Sequence, residues 1–195
     1  MPRADFTGVL LAGGQSRRFG SNKALAQFEG CRLIEQPARV LANLFSRLLL
    51  VTNTPETYSF LNWPMVPDLL PGAGPLAGIQ TALHHAATPC IFVAGCDMPT
   101  LDSELIIYLC TQAAGYDVVL PVTDFGPEPL HAVYCRTALP RISAALADGV
   151  RKIQQVLPSL RVLEIGPETL AGISATPGRS FSNINSISDL PREES

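Results

Sequence analysis

The sequence predicts a three-layer α/β/α fold, in which helices cover both faces of a mostly parallel central sheet that contains one antiparallel strand. Short apolar runs alternate with longer amphipathic segments along the chain. The short runs are continuously apolar, which is typical of strands that are buried on both faces of a sheet. Strand–helix–strand order then favours parallel pairing of neighbouring strands.

The apolar runs are the predicted strands, and the amphipathic segments between them are the predicted helices. The predicted strands span Thr7–Leu11, Arg47–Thr52, Cys90–Ala94, Asp117–Pro121, Ala132–Cys135 and Arg161–Ile165. The predicted helices span Ile34–Phe45, Leu76–Ala86, Ser103–Ala113 and Ala138–Ala147. No internal repeat or long linker interrupts the 195 residues, so residues 1–195 are expected to form a single domain. The Gly/Pro-rich segment Pro67–Gly78 is interpreted as a functional loop.

Composition and charge limit the partners of the protein. Hydrophobic residues make up 47% of the chain and charged residues 16%, which is a globular balance. The formal net charge of -3 provides no overall positive field for nucleic acid or for an anionic membrane. The first apolar stretch, Val9–Ala12, is too short for a signal peptide or a membrane span. We therefore expect a cytoplasmic protein, with no nucleic-acid or membrane partner, that holds its anionic ligand at a local positive site.

The chain contains 5 cysteines, an odd number, and no CxxC pair. They are Cys31, Cys90, Cys96, Cys110 and Cys135. The pattern favours reduced, mostly buried thiols over a disulfide framework or a zinc site.

The loop after the first strand, Ala12–Lys23, is rich in residues suited to binding phosphate. The glycine pair Gly13 and Gly14 lets the backbone approach a ligand without obstruction by Cβ, and its N–H groups can point at phosphate oxygens. Arg18 provides a planar fork of donors and Lys23 a compact positive charge. Open α/β sheets bind ligands at the carboxyl ends of their strands, which is where this loop begins.

Two common phosphate-binding motifs do not fit this loop. Its spacing lacks GxxxxGK[ST], the signature of P-loop ATPases, and GxGxxG, the signature of dinucleotide-binding oxidoreductases. The alternative is a glycine-rich turn followed by a solvated basic patch. The occurrence of the glycine pair, Ser16, Arg18, Gly20 and Lys23 in one strand-to-helix loop favours a phosphate-binding function.

An apolar strand followed by a proline-stiffened turn presents Asp97 in the sequence VAGCDMP. Mg²⁺ requires few protein oxygens, because it keeps waters and takes its other ligands from substrate phosphates. The alternative role for Asp97 is to cap the helix that begins at Ser103, but Asp102 already occupies the capping position. Asp97 is therefore the candidate metal ligand.

The segment LLAGGQSRRFGSNKAL resembles the LAGGxSxRxGxxK signature of nucleotidyltransferases and is most similar to the molybdenum cofactor guanylyltransferase family. Enzymes of that family transfer GMP from GTP to molybdenum-bearing molybdopterin and release pyrophosphate. The LAGG form favours this branch over the LAAG form of cytidylyltransferase relatives. The family often has Met at the position of Phe19 and Asp at the position of Asn22. The second difference removes a carboxylate just before Lys23, which bears on how Lys23 is oriented.

The resemblance implies roles for individual residues. It implies Mg²⁺ bound by Asp97, and a catalytic group of Arg18, Lys23 and Asp97. The implied GTP-binding residues are Leu11, Ala12, Gly13, Lys23, Asn53, Asp68 and Asp97. Taken without the resemblance, Asn53 and Asp68 are ordinary turn formers. The implied partners are GTP and molybdenum-molybdopterin, together with other molybdenum cofactor biosynthesis proteins and recipient molybdoenzymes.

The second half of the chain carries weaker matches. The segment Glu128–Tyr134 matches a family element toward the acceptor side, and His131 within it is a candidate ligand contact. Arg151 and Lys152 form a basic turn that either takes the molybdopterin phosphate or lies on a solvated face. Asn185 either reaches the metal region or caps a short last helix. The adjacent histidines His84 and His85 are interpreted as surface or partly buried helix residues, because neighbours on a helix point about 100° apart.

The predicted mechanism is in-line attack by an acceptor phosphate oxygen on the α-phosphorus of GTP. The alternatives are a molybdenum cofactor cytidylyltransferase, a sugar-phosphate nucleotidyltransferase and a non-catalytic nucleotide-binding homologue. Arg18, Lys23 and Asp97 together argue against the last, since a binding protein needs no metal carboxylate.

Overall fold

The computed structural model describes residues 4–13, 22–174, 176–184, 186 and 189. Six residues singled out from the sequence lie outside the described residues: Gly14, Ser16, Arg18, Phe19, Gly20 and Asn185. The strands are β1 (Phe6–Leu11), β2 (Gln27–Phe28), β3 (Cys31–Arg32), β4 (Arg47–Val51), β5 (Met65–Val66), β6 (Cys90–Gly95), β7 (Val118–Thr123), β8 (Gly126–Pro127), β9 (His131–Cys135) and β10 (Val162–Ile165). The helices are α1 (Glu35–Leu44), α2 (Pro75–His85), α3 (Ser103–Thr111), α4 (Leu139–Ala147), α5 (Pro167–Ile173) and α6 (Pro177–Ser180).

The central sheet has the strand order β10-β7-β9-β6-β1-β4-β5. β1 pairs in parallel with β4 and with β6, β4 with β5, and β10 with β7. β9 runs antiparallel to both of its neighbours, β6 and β7, and the short β8 forms a hairpin with β7. The prediction of a mostly parallel sheet with one antiparallel strand in its body is confirmed.

Helices cover both faces of the sheet because successive strand residues alternate between two apolar cores. On one face, Leu10 and Phe92 pack with residues of α1, α3 and α5. On the other face, Val9 and Val93 pack with residues of α2 and α4. All four of these side chains have no exposed surface. Burying a side chain of this size stabilises the fold by about 1.5–3 kcal/mol, so this pair of cores fixes the three-layer arrangement.

The prediction that all the cysteines are reduced thiols is wrong for Cys90 and Cys135, which form a disulfide. They lie directly opposite one another in the antiparallel register of β6 and β9. Their separation of 45 residues gives no local motif, so the pairing follows from the strand register alone. Cys31 and Cys96 remain thiols, as expected.

Two local predictions about helices are confirmed. The Asp102 carboxylate caps α3 by accepting hydrogen bonds from the backbone N–H groups of Glu104 and Leu105. His84 and His85 are exposed at the end of α2. No helix in the described ranges is long and apolar enough to cross a membrane.

Candidate active site

A cleft of about 290 Å³ opens at the carboxyl edge of the sheet, above β1 and its neighbours β4 and β6. It is lined by residues from the ends of β1 and β6, from the start of α2 and from the loop after β5. The lining includes the candidate residues Leu11, Ala12, Gly13, Lys23, Asp68 and Asp97, together with Asn22, Tyr58, Gly78, Gly95, Cys96 and Leu130. Parallel strands end at this edge together, so residues far apart in sequence meet here.

Lys23 and Asp97 form an ion pair in the cleft, with 2.7 Å between Lys23 Nζ and Asp97 Oδ2. Lys23 begins a short 3₁₀ helix, which Asn22 caps by accepting a hydrogen bond from the Ala24 N–H. Asp97 follows β6. The two side chains are 16% and 24% exposed, so the pair is shielded from water but open to a ligand. The structure thus brings together two of the three residues predicted to be catalytic.

Gly95 makes room for the Asp97 carboxylate, a requirement that the sequence analysis missed. A Cβ at position 95 would lie 2.5 Å from Asp97 Oδ1, which is closer than such atoms approach in proteins. Any larger residue would push the carboxylate away from Lys23. The glycine two positions before the aspartate, at the end of an apolar strand, is the signal that could have revealed this role.

The loop that carries Asp97 is held by the C-terminal segment of residues 174–184. The Ile184 N–H donates to the Asp97 carbonyl oxygen at 3.0 Å. The Ser174 hydroxyl donates to Asp102 Oδ2 at 2.5 Å, and the Asp102 N–H donates to the Ser180 hydroxyl at 2.9 Å. These bonds connect the end of the chain to the reaction centre.

Asn53 and Asp68 are bonded to each other at the β4 and β5 side of the cleft. Asn53 Oδ1 accepts from the Asp68 N–H at 3.0 Å, and Asn53 Nδ2 donates to Asp68 Oδ2 at 3.2 Å. Asp68 Oδ1 is buried and has no hydrogen-bond partner among the described residues. Burial raises the pKa of Asp68, and the hydrogen bond from Asn53 partly opposes that rise. An acceptor oxygen of this kind is suited to an N–H donor on a ligand.

Glycines shape the wall around the Asp68 carboxylate. A Cβ at Gly13 would lie 3.2 Å from Asp68 Oδ2, and a Cβ at Gly78 would lie 3.7 Å from Asp68 Oδ1. Gly13 lines the cleft, and a side chain there would crowd the carboxylate. Its role in binding phosphate stays a prediction.

Tyr58 is a second residue that the sequence analysis missed. It is buried, and its hydroxyl is 2.9 Å from Asn22 Nδ2 and 3.3 Å from Asn22 Oδ1. Burial raises the pKa of Tyr58, so its hydroxyl stays protonated. The contact fixes Asn22 and hence the start of the turn that carries Lys23. No local sequence pattern links positions separated by 36 residues.

His131 is not a ligand contact, which corrects the interpretation made from the sequence. Its side chain is fully buried in the core, where it packs edge-on against Phe92 and Phe181. Burial lowers the pKa of His131 to about 3, so the ring is neutral. The next residue toward the cleft, Leu130, lines the cleft instead.

Arg151 and Lys152 are exposed, and Arg151 Nη1 donates to the carbonyl oxygens of Leu146 and Val150. The Arg151 guanidinium therefore helps to close the end of α4. Neither side chain lines the cleft described above.

The residues around Asp97 fit a magnesium ion better than a transition metal. The described residues contain no group of three or more His, Cys, Asp or Glu side chains placed to hold a metal. A lone carboxylate fits Mg²⁺, which binds through one or two carboxylates plus substrate phosphates, whereas a structural zinc site needs four protein ligands. Asp97 Oδ1 lies against Gly95, where a side chain at that position would clash with it.

Comparisons with known proteins show which family this chain resembles. Residues 8–162 match the model of a family described as MobA-like NTP transferase domain. A "Probable molybdenum cofactor guanylyltransferase" of Pelotomaculum thermopropionicum is 38% identical over 184 residues, covering 94% of this chain and 89% of the relative. A "Molybdenum cofactor guanylyltransferase" of Desulfosudis oleivorans is 35% identical over 190 residues, covering 96% and 94%. The crystal structure of molybdopterin-guanine dinucleotide biosynthesis protein A from Archaeoglobus fulgidus has a TM-score of 0.81, with 31% identity and 94% coverage of both chains.

Proposed function

The chain belongs to the MobA-like NTP transferase family, and from that membership we propose that it transfers GMP from GTP to molybdenum-bearing molybdopterin, releasing pyrophosphate. The observation that carries the proposal is the Lys23–Asp97 pair at the centre of a cleft whose β4 and β5 side presents Asp68. One cleft thus contains the positive charge of Lys23, the proposed metal ligand Asp97 and the proposed base acceptor Asp68.

The guanine base lies at the Asp68 side of the cleft in this proposal. Guanine presents an imino N–H next to an exocyclic amino group, and a carboxylate can accept from both. Asp68 Oδ1 is a buried acceptor without a partner among the described residues, so guanine would satisfy it. Cytosine has a ring nitrogen acceptor beside its amino group and would leave the carboxylate facing a lone pair. This difference supports GTP over CTP.

The triphosphate then extends over the ends of β1 and β6, toward Lys23. A phosphate oxygen of the acceptor attacks the α-phosphorus of GTP in line with the departing pyrophosphate. The new P–O bond forms as the bond to the β-phosphate oxygen breaks. The attacking phosphate oxygen is already anionic, so the step needs no general base and no covalent enzyme intermediate. Positioning and charge neutralisation accelerate the reaction. Lys23 provides a positive charge beside the departing pyrophosphate.

Asp97 would hold Mg²⁺, and we include magnesium dependence in the proposal. A bound Mg²⁺ would supply positive charge toward the phosphate oxygens. The Ile184 N–H holds the Asp97 carbonyl, and the lack of a side chain at Gly95 leaves room for the Asp97 carboxylate. Arg18 is assigned a phosphate-binding role by the family resemblance.

The test is pyrophosphate release by the purified protein with GTP, CTP, ATP and UTP, each with and without molybdenum-loaded molybdopterin. We expect release with GTP in the presence of the acceptor, and at least about 10²-fold less with CTP, because the wrong base leaves a buried polar group unpaired. Equal release from CTP and GTP would contradict the guanylyltransferase assignment. Absence of release with all four nucleotides would favour a non-catalytic homologue.

A further inference from the structure

Thr81 is a buried polar residue in the middle of α2 that has no part in the mechanism given above. Its side chain has no exposed surface. The helix is buried at every position from Leu76 to Leu83 except Gln80, and the other buried positions hold apolar residues or glycine. Burying a hydroxyl group costs free energy unless the group makes a hydrogen bond, so a threonine here needs an explanation.

The Thr81 hydroxyl holds the residue that follows the Asp68 carboxylate. It accepts a hydrogen bond from the Leu69 N–H at 3.0 Å. The preceding N–H group, that of Asp68, donates to Asn53 Oδ1 at 3.0 Å. Two consecutive backbone N–H groups are thus bonded to side chains from two elements, α2 and the segment after β4. Together these bonds fix the backbone on both sides of the Asp68 Cα atom.

Polar bonds hold this loop because its apolar side chains do not. Leu69 and Leu70 are 46% and 40% exposed. No residue from 67 to 72 is buried. Within the described residues, the hydrogen bonds that tie this segment to other elements come from Asn53 and Thr81. Removing either partner would therefore let the carboxylate shift.

The same face of α2 leaves room for the carboxylate. Gly78 lies three residues before Thr81, which places both on one side of the helix. A Cβ at Gly78 would lie 3.7 Å from Asp68 Oδ1, the buried oxygen without a partner among the described residues. This helix face therefore provides space beside the oxygen at one position and anchors the loop at the other.

We propose that Thr81 is a positioning residue for nucleotide selection, acting through the Leu69 N–H on Asp68. The inference rests on the proposed function, which places guanine at Asp68. With the loop anchored, Asp68 Oδ1 stays in one place and accepts from the N–H donors of guanine. ITP has the imino N–H of guanine but lacks its exocyclic amino group. The preference for GTP over ITP therefore measures how well Asp68 is placed.

The test is calorimetric titration of GTP and of ITP into the intact protein. Thr81→Val removes the hydroxyl and keeps the branched shape. We expect it to weaken GTP binding about 10-fold and ITP binding about 3-fold, since ITP makes one bond fewer to the displaced carboxylate. The KM for GTP should rise while turnover at saturating GTP stays within about 2-fold, because Lys23 and Asp97 are untouched. Thr81→Ser keeps the hydroxyl and should restore most of the preference.

Thr88→Val is the matched control at the opposite edge of the sheet. Thr88 is also buried, and its hydroxyl donates to the Cys90 carbonyl oxygen at 2.8 Å. Its loss should lower the melting temperature but leave the ratio of GTP to ITP affinity unchanged. The control thus separates the loss of a buried hydroxyl from the loss of base selection.

Three results would overturn the inference: an unchanged ratio in Thr81→Val, equal loss of both nucleotides in that variant, or a wild-type protein that binds GTP and ITP equally. If Thr81→Val does not fold, amide hydrogen exchange of the wild type decides. The Leu69 N–H should exchange at least about 10-fold more slowly than the Leu70 N–H, which donates no hydrogen bond within the described residues. Equal exchange of the two would also overturn it.

Pyrophosphate release by the wild type tests the proposed function separately. If no release occurs and the preference for GTP over ITP still depends on Thr81, the transfer assignment fails and the positioning role stands. If release occurs and the preference does not depend on Thr81, the positioning role fails and the transfer assignment stands.

Discussion

The described residues contain two ion pairs, at opposite edges of the same sheet, and the pairs differ in how fully their carboxylates are satisfied. At the amino edge, Asp117 is 1% exposed and accepts four hydrogen bonds, from the Thr137 hydroxyl and from the backbone N–H and two guanidinium nitrogens of Arg161. At the carboxyl edge, the Asp97 carboxylate accepts one hydrogen bond within the described residues, from Lys23. Asp117 is saturated by the protein, whereas Asp97 keeps capacity for a ligand.

The difference teaches that an ion pair alone does not identify a functional site. The bonds from Arg161 hold the pKa of Asp117 well below its usual range, which marks a strongly perturbed carboxyl group. Yet that perturbation arises from a closed network, in which donors of the protein itself satisfy the carboxylate. The open carboxylate in the glycine-walled cleft is the one that we propose to be functional. The capacity of a carboxylate to accept further hydrogen bonds is a better guide to a functional site here than the size of its pKa shift.

The largest expected effect is loss of transfer activity in Asp97→Asn. We expect turnover at ordinary magnesium concentrations to fall on the order of 10³-fold, because the amide holds Mg²⁺ poorly against the phosphates. Steady-state pyrophosphate release measures the loss. The thermal midpoint should change little, since the side chain faces the cleft.

Calorimetric titration of GTP with magnesium and with chelator isolates the metal role of Asp97. The variant should bind GTP weakly with magnesium but near normally with chelator, where the wild-type carboxylate repels the phosphates. Equal weakening under both conditions would show that Asp97 is not a metal ligand.

Lys23→Ala should lower turnover about 10²-fold, the scale for losing one preorganised charge stabiliser. The fold should be retained, because Lys23 belongs to a loop-borne 3₁₀ turn. Lys23→Arg is the matched variant that keeps the charge and should recover part of the activity. Single-turnover kinetics with saturating GTP provide the measurement. Near-normal turnover in Lys23→Ala would remove this residue from the mechanism.

Asp117→Asn should have the opposite profile, with lower stability and unchanged chemistry. The amide cannot accept all four hydrogen bonds, so we expect unfolding free energy to fall by about 2 kcal/mol. Urea denaturation measures the loss, and pyrophosphate release per folded molecule should equal that of the wild type. A fall in turnover without a change in stability would contradict the assignment of this pair as structural.

The smallest expected effect is the contribution of His131 to the pH dependence of stability. Its pKa is about 3 in the folded protein and 6.5 in the unfolded chain, so below pH 6.5 the unfolded chain binds a proton that the folded protein does not. Stability should therefore fall as pH drops from 6.5 toward 3, with a limiting slope of about 1.4 kcal/mol per pH unit. His131→Leu should flatten this slope in denaturation curves between pH 6.5 and 5. An unchanged slope would mean that the buried ring is not the titrating group.

The central strands were predictable from the sequence because they are long apolar runs, and their observed limits lie within a few residues of those predicted. Met65–Val66 and Gly126–Pro127 were missed because two-residue strands have no periodicity to detect. Helix α5, Pro167–Ile173, was also missed, since its seven residues bury only Leu170 completely enough to mark a core-facing side.

The reaction centre was predictable in part for a related reason. Lys23 and Asp97 each follow an apolar strand, so the rule that parallel strands end at one edge brings them together. The bond between Asn53 and Asp68 and the Cys90–Cys135 disulfide depend on strand order and register. These contacts join distant positions, and no local pattern encodes them.

The attachment of the C-terminal segment to the Asp97 loop also governs when the reaction centre forms during synthesis. A nascent chain translated through α4 already contains Lys23, Asp68 and Asp97. It still lacks Ser174, the hydroxyl that bonds Asp102, and the Ile184 N–H that holds the Asp97 carbonyl. The chain must therefore emerge from the ribosome as far as Ile184 before the aspartate is fixed. A product of premature termination would carry the ligand-binding residues without the support that aligns them.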